Sequence, residues 1–295
     1  MTDAMSGEYA GSTDRAFALL QDVLPKHALS RAMHRLARSE SPALRNALIR
    51  AVLRAYPMID MREAAQPDPY AYPSFNAFFT RALLPGSRAV ASGAAEIASP
   101  VDGTVSQLGA IAGGQVMQAK GSHYTAAALL ADEAAAARYA GGTFACLYLA
   151  PHDYHRIHMP VAGRLTATRH VPGALFSVNA ATVRAVPGLF ARNERVVCEF
   201  DTALGPMALA LVGALFVGSI ETVYAGEINP PVARGGSVRS IADGIGTEFA
   251  KGAELGRFNM GSTVIVLIGD GPIRFAERLG AGATVRMGQL LATAG

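Results

Sequence analysis

Three imidazoles fall within seven residues in His152-Asp153-Tyr154-His155-Arg156-Ile157-His158, directly after an apolar run that ends at Ala150. Histidine exchanges protons near neutral pH, so general acid–base work is the first chemistry this cluster offers. A zinc site has no support, since neither a His-Glu-x-x-His pattern nor carboxylate-rich surroundings accompany the imidazoles, and no metal is expected. A carboxylate stands in the Pro-bounded turn Ser99-Pro100-Val101-Asp102-Gly103. It is an ordinary turn residue unless the fold carries it to an imidazole that it can orient. A third feature, Gly256-Arg257-Phe258-Asn259-Met260-Gly261-Ser262-Thr263, precedes the apolar run Val264 to Ile268. Glycine leaves the carbonyl ahead of Ser262 sterically open, and a tight turn can bring the serine hydroxyl close to it. With a base at hand Ser262 could attack its own peptide bond, with Ser262, His158 and Asp102 as nucleophile, base and orienting acid. A serine hydrolase could turn the same trio on an external acyl group, although no Gly-x-Ser-x-Gly elbow surrounds Ser262.

These residues need a rigid frame, and the chain of 295 residues has the means to build one. It is 51% hydrophobic and 17% charged with a net charge of +3, which excludes intrinsic disorder. From about Glu96 onward, short apolar runs punctuated by glycine read as strands: Thr104 to Leu108, Phe144 to Leu149, Val196 to Phe200, Met207 to Val212, Leu215 to Ile220 and Val264 to Ile268. Thr125 to Tyr139 reads as one helix. Cys146 and Cys198 are too few and too far apart for a disulfide framework and read as small buried hydrophobes. The expected fold class is α+β: a mainly antiparallel β domain, barrel-like or sandwich-like, behind an N-terminal basic amphipathic helical region. Between Arg15 and Arg54 stand eight basic residues against two acidic ones. Leu29, Met33, Leu36 and Ala37 recur at helical spacing beside a stripe of Arg31, Arg35 and Arg38, and a second helix opens at Ser41-Pro42. The stripe fits either a solvated helix face or adsorption to an anionic bilayer. Nucleic acid is not expected, because no aromatic residues interleave with the arginines. The N-terminus lacks the pattern of a signal peptide, and no apolar run is long enough to cross a bilayer.

Taken together, the blocks identify the family. Leu24-Pro25-Lys26-His27-Ala28-Leu29-Ser30, Phe75-Asn76-Ala77-Phe78-Phe79-Thr80-Arg81, Ser99 to Gly103, Asp153 to Pro160, Val171-Pro172-Gly173 with Leu175 to Asn179, Asn193-Glu194-Arg195, Val217 to Thr222 and Gly256 to Thr263 resemble bacterial phosphatidylserine decarboxylases. The resemblance extends from about residue 15 over nearly the whole chain. Met260 departs from the leucine usual before Gly-Ser-Thr, and the stretch between Val232 and Ile241 is shorter than in close relatives.

The resemblance implies self-cleavage between Gly261 and Ser262, a pyruvoyl group made from Ser262, and conversion of phosphatidylserine to phosphatidylethanolamine and CO2 through a Schiff base. Large and small chains of one precursor would stay together as a heterodimer, with a further homo-oligomer an added possibility. By the same carry-over Asp102 and His158 serve self-cleavage and His155 handles the proton at bound substrate, while Phe176, Ser177 and Asn179 are candidates for headgroup contacts. A lipid substrate moves the basic region toward membrane docking through Lys26, Arg31, Arg35 and Arg38, at the cytoplasmic face of the cell membrane as a peripheral protein. The expected division is a flexible 1–14, a docking region 15–62 and a catalytic domain 63–295. An uncleaved, inactive membrane-binding relative is the other alternative.

Overall fold

A computed structural model describes residues 10–216, 219–228 and 236–295. Helices α1 (Ser12–Val23), α2 (Lys26–Ala37) and α3 (Pro42–Ala55) come first, followed by a short α4 (Phe75–Phe79) capped by the Ser74 hydroxyl. Pro25 separates α1 from α2, and Pro42 occupies the first turn of α3, where a missing N–H costs nothing. The first three helices bury only thin seams. Ala37 and Ile49 pack with Tyr72, Phe75, Phe78 and Phe79, which ties α2 and α3 to α4. Helix α1 docks elsewhere, through Gln21 to Thr182 at 3.0 Å and Asp14 to Arg184 at 2.9 Å. Among the described residues no helix is long and apolar enough to cross a membrane.

The strands that matter for the site are β1 (Gly103–Ala110), β2 (Thr143–Leu149), β3 (Arg156–His158), β4 (Gly163–Val171), β5 (Arg195–Thr202), β6 (Gly205–Val212), β7 (Ile220–Thr222), β8 (Glu254–Phe258) and β9 (Ser262–Ile268). A large antiparallel sheet runs in the order β4-β5-β6-β9-β2-β1, with short strands at its margins, and a smaller sheet places β8 between β7 and β3. Strand β9 is the innermost member, every residue of it buried. Side chains alternate between the sheet's two faces. Ile265 and Leu267 point into a core shared with Leu129, Leu130 and Val183 of the short helices, while Val264 and Val266 point into one shared with Ile157, Ile220, Leu255 and Phe258 of the smaller sheet. Burial on both faces explains why these strands read as continuous apolar runs in the sequence.

The α+β architecture agrees with expectation, with three corrections. The large sheet is open: its marginal strands Arg239–Ser240 and Thr284–Val285 do not pair with each other among the described residues, so the layers pack sandwich-like and form no barrel. Leu215 to Ile220 is not one strand, because Leu215 and Phe216 form a turn with Phe216 at φ 68°, and the strand Ile220–Thr222 opens at Ile220. Thr125 to Tyr139 is two helices, Ala126–Leu130 and Glu133–Ala137, broken by the left-handed Ala131 and restarted by the Asp132 cap. Cys146 and Cys198 are buried and free.

Gly256 lies in β8 where an added Cβ would stand 2.3 Å from the Glu221 carbonyl oxygen on β7, whereas the space around Gly280 is open. Gly256→Ala should therefore cost about 1–3 kcal/mol in chemical denaturation through overpacking, and Gly280→Ala should unfold with the parent. Equal midpoints for the two variants would contradict the close β7–β8 approach.

Candidate active site

Register between β3 and β8 sets the site. Glu254 faces His158, Gly256 faces Ile157 and Arg257 faces Arg156, and the Phe258 amide donates to the His155 carbonyl at 3.0 Å. Because β8 ends at Phe258 and β9 begins at Ser262, only Asn259, Met260 and Gly261 carry the chain from the small sheet to the middle of the large one. Asn259 anchors this link. Its amide donates to the Ser219 carbonyl at 2.9 Å, its side-chain NH2 to Ser219 Oγ at 2.8 Å, and its Oδ1 accepts from Asn76 of α4 at 3.0 Å. Met260 follows at φ 96°, a left-handed conformation that costs a non-glycine residue about 1–3 kcal/mol. Ser262 then enters β9 opposite Leu149, fully buried, with no hydrogen-bond partner for its Oγ.

Two of the cluster's three histidines, His155 and His158, are set in the same tautomer. His155 Nδ1 meets the Asp153 carbonyl at 2.8 Å; a carbonyl only accepts, so Nδ1 carries the proton and Nε2 is left as a bare base. That Nε2 has no partner and lies 3.9 Å from the place a Cβ on Gly261 would take. Burial pushes the imidazole down to about 3, which keeps it neutral, and the ring of Phe79 lies against it with centroids 4.1 Å apart. His158 donates from Nδ1 to the Gly252 carbonyl at 2.8 Å and accepts at Nε2 from the Tyr154 hydroxyl at 2.9 Å. Burial holds it, too, below the ordinary histidine value. Asp153 accepts from the Ala150 amide at 2.7 Å, and burial raises its carboxyl to about 6.

Asp102 arrives by a different route from the one expected. Its Oδ1 accepts from the Met287 amide at 2.7 Å and its Oδ2 from Arg88 at 3.0 Å, and Arg88 also pairs with Glu63 at 2.6 Å. Among the described residues no hydrogen bond joins Asp102 to His158 or His158 to Ser262. The Pro100 carbonyl accepts from the His158 amide at 2.8 Å, so the two segments meet through backbone while the carboxylate turns to its cation. The Asp102 charge still acts on His158 and Tyr154 through space. A cavity of about 420 Å³ on this side is lined by Asp102, Asp153, Tyr154 and Arg88.

The weaker candidates have architectural contacts. Phe176 is buried and exchanges hydrogen bonds with Asn193, the Ser177 amide donates to Gln21, and Asn179 caps the helix Ala180–Ala185. Of the four proposed docking cations, one lies inward and another is half-exposed and paired. Lys26 is buried, its ammonium donating to the Gln21 carbonyl and lying 4.3 Å from the Phe176 ring centroid, and Arg38 binds Glu227 at 2.9 Å and Ser219 at 3.3 Å. Arg31 is half-buried and Arg35 exposed. The shortened stretch near Val232 lies largely outside the described residues.

Sequence reasoning missed Asn76, Phe79, Arg88, Tyr154 and Asn259 as parts of the site. Tyr154 sits within the histidine cluster and Asn259 within the serine segment, so proximity in the chain was a usable signal for both. Asn76 and Asn259 are 183 positions apart, and nothing in either segment alone announces the contact.

A sequence profile described as phosphatidylserine decarboxylase matches residues 75–293, and a second, described as PSD, matches residues 16–57. A protein of Methylococcus capsulatus named phosphatidylserine decarboxylase proenzyme is 54% identical over 276 residues, which cover 93% of this chain and 95% of that one. A Shewanella baltica protein of the same name is 52% identical over 285 residues, covering 95% and 97% of the two chains. With a buried serine behind an open glycine, a bare imidazole nitrogen beside that turn, and this identity over nearly its full length, the chain belongs to the phosphatidylserine decarboxylase family.

Proposed function

We propose that this chain is a precursor that cleaves itself between Gly261 and Ser262 and then decarboxylates phosphatidylserine to phosphatidylethanolamine. The observation that carries it is Ser262 Oγ, buried without a partner one residue after an open glycine and next to a turn bordered by His155 Nε2. A buried hydroxyl left unpaired costs about 1–3 kcal/mol, and its retention here has a chemical use. Ser262 Oγ adds to the Gly261 carbonyl carbon, the C–N bond breaks, and an ester replaces the amide. Loss of the Ser262 α-proton and of the Gly261 carboxylate leaves dehydroalanine at position 262. One water then releases ammonia and leaves a pyruvoyl group at the head of residues 262–295.

The surroundings fit that group, because conversion removes the orphaned hydroxyl. Its contribution is an electron-accepting carbonyl for the pair left behind by departing CO2. His155 Nε2 is positioned to hold or return a proton at the substrate carbon, and Phe79 keeps water from that face. His158 and Asp102 are assigned to self-cleavage, His158 as base and Asp102 as a through-space stabiliser of the imidazolium. For that role the Tyr154 hydroxyl must surrender its bond to His158 Nε2. Nothing favours the serine-hydrolase alternative.

Membrane contact belongs to the same proposal: peripheral, on the cytoplasmic face. Phe17, Leu19, Leu20 and Val23 of α1 are exposed, as are Leu36 and its neighbour Arg35 on α2, apolar and basic groups of the kind an anionic interface takes up.

Electrophoresis of Ser262→Ala should show one chain of 295 residues where the parent gives 261 and 34. His158→Ala should also remain whole. His155→Ala should cleave yet lose about 10²- to 10⁴-fold in turnover per pyruvoyl group; cleavage lost in His155→Ala and kept in His158→Ala would exchange the two roles.

Precursor processing should also report the buried imidazole of His158. Both His158 and His155 favour their neutral, basic form, so the processing rate, which runs through His158, should fall only below the ordinary histidine value of about 6.5 as acid is added. The unfolded chain takes up those protons first, so stability from this source is present above about pH 6.5 and drains away as pH falls toward 3. An acid limb of processing at or above pH ~6.5 would contradict burial as the controlling effect.

For the membrane, Arg35→Glu and Leu19→Asp with Val23→Asp should each lower sedimentation with anionic vesicles while leaving the cleavage pattern intact. Each basic residue near the surface contributes about 1 kcal/mol, roughly fivefold, and added salt should mimic only the arginine change. Vesicle binding untouched by all three substitutions would remove the docking role from α1 and α2.

A further inference from the structure

Directly after α4 stands Arg81, 6% exposed overall. Its guanidinium forms no hydrogen bond or ion pair among the described residues, and Nε is buried without an acceptor. Its CZ lies 5.7 Å from the Phe78 ring centroid, a modest cation–π compensation. Taking an arginine out of water costs several kcal/mol when no anion accompanies it, so an unpaired one at this depth needs an explanation. Arg81 lines two cavities. One is the space of about 420 Å³ lined by Asp102 and Tyr154, and the other, of about 650 Å³, is lined by Asn76, Arg156 and Arg257.

The larger cavity is connected to the cleavage link. Asn76, in its wall, is bonded to Asn259, and Arg156 and Arg257 face each other across β3 and β8 just before that link. The other cations here are already neutralised: Arg156 by Glu254 at 2.8 Å, Arg257 by Glu221, and Arg38 by Glu227 at 2.9 Å. Arg81 is the cation here with no carboxylate in contact, Asp102 and Asp153 acting on it only through space and Glu40 standing elsewhere in the cavity wall, and it offers a planar fork of donors suited to a tetrahedral oxyanion.

We propose that this cavity is the subsite for the phosphodiester of the lipid headgroup, with Arg81 as its recognition residue. The proposal rests on the decarboxylase reading and extends it. Between the two anionic groups of phosphatidylserine, the phosphodiester is the one an arginine can bind without penalty. A cation on the carboxylate would stabilise a charge that disappears as CO2 leaves, which raises the barrier, whereas a cation on the phosphodiester holds ground state and transition state alike.

The test compares the matured enzyme with Arg81→Gln and Arg81→Lys, rates being divided by the pyruvoyl fraction. On a short-chain, water-soluble phosphatidylserine, Arg81→Gln should raise KM about 10- to 100-fold with kcat held within a few-fold, the pattern of lost uniform binding. Arg81→Lys should recover part of the loss. A phosphate-free serine ester should have a poor KM that is the same in parent and variant. Inorganic phosphate should compete with the short-chain lipid in the parent and fail to do so in Arg81→Gln. Unchanged KM, a fall confined to kcat, or an equal loss on the phosphate-free ester would each overturn the assignment. Stimulation of ester turnover by inorganic phosphate would instead make free phosphate the ligand, and that too overturns it. Should Arg81→Gln fail to mature, the parent's phosphate competition and the Arg81→Lys KM decide the matter. A parent that carries a pyruvoyl group but decarboxylates no phosphatidylserine would defeat the decarboxylase reading itself, independently of Arg81.

Discussion

The three residues Asn259, Met260 and Gly261 must cross from one sheet to another with no slack, and the rest of the site is arranged around that crossing. On one side the link is fixed by β8, held between β7 and β3; on the other it is fixed by β9, the most enclosed strand of the large sheet. Neither strand can shift without breaking ladder hydrogen bonds on both of its edges. The strain of the crossing therefore stays where it is, in the left-handed backbone of Met260, one residue ahead of the Gly261–Ser262 bond proposed as the cleavage site. Sheet pairing delivers the imidazoles as well, since His158 lies in β3 opposite Glu254 of β8 and His155 directly precedes β3.

Helix α4 shows how a short element can serve a site without entering its chemistry. Asn76 holds Asn259, Phe79 covers His155, the Thr80 carbonyl accepts from Arg156 at 2.9 Å, and Arg81 faces the cavities. The aromatic residues of this helix form the cluster that receives α2 and α3. Helices α2 and α3 and the link that carries Met260 thus share one small hydrophobic core, so a disturbance in α3 has a direct packing route to that link.

What the sequence disclosed follows from the range of the interactions involved. The strands of the large sheet were readable because burial on both faces leaves a continuous apolar run, and the histidine and Gly-Ser-Thr segments were readable because their chemistry is concentrated within a few residues. Asp102 was recognised as a residue of interest, but its partner was not: Arg88 lies 14 positions upstream and the Met287 amide 185 downstream, and no local pattern links the three. Lys26 was read as a surface cation from composition. At the start of α2 the long side chain instead turns inward, its ammonium donating to the Gln21 carbonyl and lying over the Phe176 ring. Arg38 has a partner that the charged stripe does not announce either, since Glu227 lies 189 positions downstream.

The central claim is that the strained link between the sheets is opened by Ser262 itself and not by water. Intact-mass measurement of the freshly matured protein addresses this directly, through the fragment that spans residues 262–295. Attack by the serine hydroxyl followed by elimination leaves that fragment lighter, by one ammonia, than simple hydrolysis of the Gly261–Ser262 bond would leave it, and reactive toward carbonyl reagents. A fragment beginning with an unmodified serine amine, or a chain that stays whole when folded, would contradict it.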